Sequence, residues 1–322
     1  MRRLRRLVVA LPTLTSGKGA QQAALDLQSR PHEPAPHRGF DDHWRLPDVL
    51  GALIAMHGRV CAYCQCGLPH NDRGQVEHFR PKSIYWWLAY EFSNYLLSCS
   101  TCNHCKLNVF PLLNDAAPLT WRDRDRLHEE KALFLDPVAD EVEDWLHLAE
   151  QHSFFYAVPA KAIESRPDLL LRVETTIERL WLNRNSLRLK ERSETIRSAL
   201  EMHKAVETGD LSNARELRRM ASRFQPHGAA IRRLLEERGA ARFLPSPEEE
   251  VEDFVKDLIA ELRAAEANRI RTGEEPEARF WEVLWALAIL WKCPPVGTPA
   301  WIEGLLVEAG WRDDIALFLA RI

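Results

Sequence analysis

The spacing of apolar residues divides this chain near residue 160. Beyond Arg166-Pro167, Leu169, Leu170, Leu171, Val173, Ile177, Leu180 and Leu182 keep helical spacing and predict an amphipathic helix. Asn183-Arg184-Asn185 breaks it, and Ser186 is read as the cap of a second helix running through Leu187, Leu189, Ile196, Leu200 and His203. A basic segment from Ala214 to Arg238 is interrupted at Pro226. Ser246-Pro247-Glu248-Glu249-Glu250 then combines a capping serine, a proline in the first turn and three acids at the positive end of the helix dipole. Phe254, Leu258 and Leu262 continue the apolar face of that helix. Phe280 to Trp291 is apolar on most sides, which predicts a buried helix. Residues 161–322 are therefore expected to be all-helical.

The first half lacks such a period. Met1 to Pro12 is read as a short strand beginning the fold, because its apolar run is too short for a signal peptide and has no convincing cleavage site. Pro31, Pro34 and Pro36 make residues 12–45 an extended loop in part. Val49-Leu50, Leu53-Ile54 and Met56 predict a short helix from Pro47 to His57, with Gly58 as its stop. Residues 114–160 read as irregular, with strand-like pieces at Phe134-Leu135-Asp136-Pro137 and Ser153–Val158. The expected organisation is 1–58 (strand, loop and short helix), 59–160 (a small mixed module) and 161–322 (helical), in an α+β but mostly helical protein. No internal repeat is visible, and no apolar stretch is long and charge-free enough to span a membrane.

Composition adds boundaries. At 322 residues, 46% hydrophobic and 28% charged, the chain can build a packed core, and global disorder is disfavoured. A net charge of −4 gives no global signature of nucleic-acid binding, so any phosphate-binding surface must be local. Of the seven cysteines, only Cys293 lies outside the window from Cys61 to Cys105. Such clustering suits metal binding in a reducing compartment, and the expected location is the cytoplasm.

Within that window, Cys61 and Cys64 form one Cys-x-x-Cys pair, and Cys99 and Cys102 form another. Four thiolates can close a tetrahedral structural zinc site. Such a site contributes roughly 10–16 kcal/mol of apparent binding free energy, so the module is not expected to hold its shape without metal. Between the pairs lies Val76-Glu77-His78-Phe79-Arg80-Pro81-Lys82-Ser83. Phosphodiester hydrolysis needs a base for the attacking water, a hard cation at the leaving oxygen and positive charge near the phosphate. His78 offers the base, Glu77 a hard oxygen ligand for Mg²⁺ or Mn²⁺, and Asn103 a second neutral oxygen just past Cys102. Arg80, Lys82 and Lys106 offer the phosphate contacts. Four cysteines at this spacing also describe a purely structural zinc knuckle, an adaptor that binds without cutting.

Cys-Ala-Tyr-Cys, Val-Glu-His-Phe-Arg-Pro-Lys-Ser and Asn-Tyr-Leu-Leu-Ser-Cys-Ser-Thr-Cys-Asn-His-Cys-Lys, closing at Phe110-Pro111-Leu112, resemble the HNH endonuclease family. The branch they resemble occurs in retron-linked and Septu-type anti-phage systems, where the nuclease subunit works beside an ATPase. The resemblance covers residues 61–112, with a weaker extension at Thr176–Asn183. It implies a ββα-metal fold, a DNA substrate and an ATPase partner. It also implies His78 as general base, Glu77 as metal ligand, Asn94 as the residue that orients the histidine and ties down the loop, and Asn103 as the last ligand. Glu77 stands where that family usually has Asp. His104, beside Asn103, is the alternative last ligand. DNA and RNA are not distinguished by the residues themselves.

Other features read two ways. Cys66 and Cys105 are alternative zinc ligands or buried free thiols, the latter favoured. Tyr85-Trp86-Trp87, Tyr90 and Phe92 are expected to pack around the knuckle rather than stack on bases. Arg184, Arg188, Arg192 and Arg197, with Arg215, Arg218, Arg219, Arg223, Arg232 and Arg233, form either a nucleic-acid path or solvated faces paired with acids. Trp281, Trp285, Trp291, Trp301 and Trp311 are read as core, with some available to a partner protein.

Overall fold

A computed structural model describes residues 1–6, 11, 40, 42–68 and 74–320. Most of the described residues are helical, and the strands form two separate two-stranded antiparallel sheets. The first α-helix among the described residues, α1 (Pro47–His57), starts on Pro47 and stops at Gly58, whose φ of 67° suits glycine and whose N–H donates to Ile54 O at 2.7 Å. Every residue from Asp48 to His57 is buried, which explains why its polar and apolar positions show no one-sided pattern.

After α1 come β1 (Gln75–His78), β2 (Tyr95–Ser98) and α2 (Ser100–Lys106). The two strands pair in the register Gln75↔Ser98, Val76↔Leu97, Glu77↔Leu96 and His78↔Tyr95. A second hairpin follows the one-turn helix α3 (Val142–Trp145). Its strands are β3 (Leu146–Gln151) and β4 (Phe154–Pro159), joined by His152 and Ser153 with positive φ. The remaining helices are α4 (Pro167–Arg179), α5 (Ser186–Glu207), α6 (Ala214–Met220), α7 (Gly228–Glu237), α8 (Pro247–Thr272), α9 (Ala278–Lys292), α10 (Pro299–Ala309) and α11 (Arg312–Ala320).

One apolar core runs from Leu4 to Ile315, and a smaller one lies between β4, α5, α6 and α7. The α1 helix is its hinge piece, packed on β2 on one side and on α9 on the other. The close approach to α9 explains Gly51: a Cβ there would stand 2.4 Å from Trp285 Cβ and 2.7 Å from Glu282 O. Through α1 the cysteine-rich segment rests on the C-terminal helices.

Several expectations are corrected. Phe134, Leu135 and Pro137 are buried but the segment is not a strand, because Leu135 N–H donates to Thr176 Oγ1 at 2.9 Å and no strand ladder satisfies it. The span read as irregular contains β3 as well as the expected β4. Met1–Arg6 form no strand, and Leu4 N–H makes a single bond to Pro137 O; residues 7–10, and most of the loop expected over 12–45, lie outside the described residues. The cap of α5 is Asn185, whose Oδ1 accepts from Arg188 N at 3.0 Å, and Ser186 is already inside the helix. Ser246 does cap α8, with its hydroxyl and Glu249 forming a reciprocal capping box.

Candidate functional site

The cysteine pairs occupy two tight pieces of backbone held together by the ribbon. Val60 and Gly67 form a β-bridge, and between them the chain turns through Cys61–Cys66 with Gln65 at φ 64°. Cys61 N–H donates to Cys66 O at 3.0 Å, and Ala62 N–H donates to Leu97 O at 2.9 Å, which fastens this turn to β2. The second pair begins at the N-cap of α2, where Cys99 Sγ accepts from Cys102 N at 3.4 Å. All four sulfurs are buried and lie within 4.8 Å of one another. A tetrahedral zinc with Zn–S near 2.3 Å requires sulfurs about 3.8 Å apart. Cys64 Sγ and Cys99 Sγ lie 3.8 Å apart. Burial opposes every thiolate; at Cys61, hydrogen bonds from Cys102, Cys64 and Cys99 outweigh it and bring the pKa well below the ordinary thiol value. This set can hold a metal ion such as zinc.

Beside it the ribbon and α2 wall an open pocket of about 680 Å³. Glu77, His78, Lys82 and Asn103 line it, as does the alternative ligand His104. His78 is fixed at one end: its Nε2 lies 2.9 Å from Ala89 O, which also accepts from Tyr95 Oη at 2.6 Å. A carbonyl only accepts, so Nε2 carries the proton and Nδ1 is the free lone pair. The ring is clamped edge-on by Trp44 and Tyr95. Burial, helped by the Lys82 charge, pushes its pKa down to about 3. The imidazole is therefore neutral at physiological pH.

Asn94 is buried at the end of the loop joining the strands. It accepts from Arg80 N–H at 2.8 Å and donates to Arg80 O at 2.9 Å and Leu88 O at 3.3 Å. It reaches His78 only through this loop, by holding the backbone next to Ala89. Glu77 is buried as well, and burial raises its pKa although Lys106 and Lys82 oppose the rise. Asn103 Nδ2 donates to Gln75 Oε1 at 2.5 Å, which leaves Oδ1 as its acceptor atom.

Two of the three expected phosphate contacts are corrected. Lys106 is fully buried, with Nζ 2.5 Å from Glu77 Oε1 and 3.0 Å from His78 O. It braces β1 from below and does not line the pocket. Arg80 points away, bound to Glu130 at 2.9 Å and Leu127 O at 3.0 Å among the rings of Phe79, Tyr85 and Phe110. Lys82 does line the pocket, with Nζ over the Trp44 ring.

The pocket also contains Arg45, Trp181 and Asn185, which sequence reading did not place there. Trp181 is 49% exposed, an unusual state for so large a ring, and has φ 52°. It lies in Thr176–Asn183, whose weaker resemblance was the one signal available. The aromatic run packs as expected: Tyr85, Trp86, Trp87 and Tyr90 are buried, and Trp86 stacks on Trp121. Most of the arginines expected to mark either a nucleic-acid path or solvated faces have partners. Arg184 pairs with Glu178, Arg188 with Glu191, Arg218 with Glu249, Arg219 with Asp257, Arg223 and Arg232 with Glu250, and Arg233 with Glu237.

The site is thus a buried four-cysteine centre next to a polar pocket, in a mostly helical protein in which no described helix is long and apolar enough to cross a membrane. The chain is similar to the Septu protein PtuB of Bacillus mycoides (strain KBAB4), 28% identical over 116 residues, which cover 32% of this chain and 39% of that protein. It is also similar to the Septu protein PtuB of Bacillus thuringiensis, 39% identical over 61 residues, covering 19% of this chain and 24% of that protein. The matched region spans well under half the length of either relative. No family model and no solved structure matches the chain.

Proposed function

We propose that this protein is a metal-dependent HNH-type endonuclease that hydrolyses DNA phosphodiester bonds as the effector of an anti-phage defence complex, beside an ATPase partner. The observation that carries the reading is the fixed tautomer of His78. Its Nε2 proton is committed to Ala89 O, so Nδ1 is presented as a base in a pocket shared with Glu77, Asn103 and Lys82. The similarity to Septu proteins supports the defence role, and the resemblance of residues 61–112 to a branch whose nuclease works beside an ATPase supports the partner.

In this reading the zinc held by Cys61, Cys64, Cys99 and Cys102 is structural and keeps the ribbon and α2 in register. His78 Nδ1 takes a proton from the attacking water, and Lys82 meets a phosphate oxygen. A pKa of about 3 makes His78 a weak base, although always in its basic form at neutral pH. An approaching phosphate, being negative, raises it. The carboxylate of Glu77 and the amide oxygen of Asn103 are hard donors of the kind Mg²⁺ or Mn²⁺ takes, and such an ion supplies positive charge at the leaving oxygen. The ion would share Glu77 with the Lys106 ammonium. That pair is also the observation favouring the rival, a zinc-knuckle adaptor that binds nucleic acid or an ATPase without cutting, since Glu77 is already neutralised.

Supercoiled DNA incubated with Mg²⁺ or Mn²⁺, with and without chelator and with and without the ATPase subunit, separates the two. The nuclease reading expects chelator-sensitive nicking that His78→Ala lowers by about 10²–10⁴-fold, with zinc content and melting retained. A variant that nicks at the parental rate removes His78 from the role of base. A parent that cuts under none of these conditions favours the adaptor, and labelled RNA run in parallel reads the substrate.

A further inference from the structure

A second group of side chains of metal-ligating type, Cys66, Glu191 and His227, shares its cysteine-rich turn with the four-cysteine centre. Cys66 follows the first pair by two residues and is fully buried. Glu191 comes from α5, and His227 stands at the N-cap of α7 in the left-handed conformation. One ligand atom from each lies within 4.8 Å of the other two. His227 is 2% exposed, and its Nε2 is buried without a hydrogen-bond partner. No hydrogen bond joins the three side chains to one another. A buried imidazole nitrogen left unpaired is costly, which calls for an explanation.

We propose that Cys66, Glu191 and His227 form a second site for a zinc-class cation, a thiolate–imidazole–carboxylate set that ties the cysteine-rich turn to helices α5 and α7. Zinc accepts this mixture of sulfur, nitrogen and oxygen donors, and water can complete a fourth position. The spacing suits an ion better than direct contact: the three atoms are close enough to share a cation, yet none is bonded to another. A nucleophilic Cys–His–Glu triad would need a substrate at Cys66, which has no exposed surface.

The surroundings are built for it. His227 N–H donates to Gln65 O at 3.0 Å, so the backbone beside the imidazole is fastened to the same turn. Gly67 N–H donates to Glu191 Oε1 at 3.3 Å, and Arg188 holds the other carboxylate oxygen at 3.1 Å. Those two bonds orient Glu191 toward Cys66 and leave each oxygen a lone pair. One thiolate and one carboxylate supply two negative charges to the site, and Arg188 and Arg192 face Cys66 first, then thiolates of the four-cysteine centre and Glu191, so the arginines share in balancing both sets.

Zinc per chain, measured by inductively coupled plasma mass spectrometry after dialysis against excess Mg²⁺, tests this. Magnesium displaces zinc from oxygen-lined sites but competes poorly for thiolate and imidazole. The expected result is two zinc ions per chain in the parent and in the surface control His128→Ala, and one in Cys66→Ser and in His227→Gln. A parent that holds one ion overturns the proposal, and so do two ions in both variants. Should either variant lose both ions by failing to fold, zinc X-ray absorption of the dialysed parent decides. A mixed shell of sulfur with nitrogen or oxygen, carrying the outer-shell signature of imidazole, supports the site, and a shell of sulfur alone removes it.

Discussion

Residues 59–113 and residues 247–320 share one core but keep their shapes by different means. The C-terminal helices do it with apolar residues at helical spacing: Val251, Phe254, Val255, Leu258 and Leu262 on α8, and nearly the whole of α9 from Val283 to Trp291. Their caps are local, and little of what they bury is polar, Glu250 and Glu282 being the exceptions. The ribbon has strands of only four residues each and buries Glu77, His78, Asn94, Ser98 and Lys106 beside its sulfurs. Each of those groups is costly to take out of water unless paired. Two short strands are also marginal by themselves. The ribbon therefore has four cysteines that can hold an ion, and a buried ion pair, where the helices have buried area, and of the polar groups it buries Glu77 and His78 open on the pocket.

Metal removal should break this contrast most sharply. With about 10–16 kcal/mol of apparent free energy in a structural zinc, Cys61→Ser or Cys102→Ser should give zinc-poor or insoluble protein. Strong chelation of the parent should expose the tryptophans around Trp86 and Trp87 while far-UV circular dichroism keeps most of its helical signal. Normal zinc content and melting in both variants would show that the apolar core carries the ribbon unaided.

Acid should be the next largest perturbation, through His57 at the end of α1, where the two regions meet. Neither ring nitrogen of His57 finds a hydrogen-bond partner. Burial, with Arg2 and Arg6 adding to it, holds its pKa well below the ordinary 6.5. In the unfolded chain that histidine takes up a proton below about pH 6.5, whereas the folded protein does not. Its contribution to stability is complete above that pH and lost as the pH falls below it, at about 1.4 kcal/mol per unit. Thiolates release zinc in the same range, so the informative quantity is the difference between parent and His57→Gln. Denaturant midpoints between pH 7 and 5 should fall less steeply in the variant, and equal slopes would mean that His57 is protonated in the folded state.

The contrast also explains what was legible in sequence. Capping and apolar period are local, so Gly58, Ser246 and the helices of the second half could be read from neighbours along the chain. Asn185 and Ser186 are both good caps side by side, and only the direction of entry into α5 chose between them. The cysteine pairs were legible because their spacing is itself the chemistry. The directions of Arg80 and Lys106 were not legible, because closeness in sequence, to His78 for Arg80 and to Asn103 for Lys106, does not say which side a long side chain takes. Arg80 is claimed by Glu130, 50 residues away, and Lys106 by Glu77 across the ribbon. Cys66 reads from sequence as an alternative zinc ligand or, preferably, a buried free thiol, because Glu191 and His227 reach it only through the tertiary fold. The hydrogen bond that fixes His78 ends on a backbone carbonyl, which no side-chain pattern can announce.

A smaller test addresses the joint between the regions. Gly51→Ala places a methyl group 2.4 Å from Trp285 Cβ and 2.7 Å from a carbonyl of α9, and neither is the end of a flexible side chain. Alanine is the better helix former by about 1 kcal/mol, but overpacking costs typically 1–3 kcal/mol and should prevail. A net loss in denaturant stability, with zinc content unchanged, would place the strain in the α1–α9 contact. A gain would mean that the helices separate freely there.

The smallest effect belongs to the region that relies least on distant partners. Ser246 Oγ accepts from Glu249 N at 3.2 Å, and Glu249 Oε2 accepts from Ser246 N at 2.8 Å. Ser246→Ala removes one half of this box and should cost about 1 kcal/mol. The lost cap is exposed to water, which can take over the freed N–H, so the cost should not grow further. Because the cap sits at the exposed start of α8, and the helix meets the cysteine-rich segment only further along, where Glu261 pairs with Arg59, the loss should be the same in zinc-loaded and chelated protein. A cap effect that vanished on chelation would show the helices of the second half to be folded only by way of the metal-held ribbon, and the two regions would then be one cooperative unit.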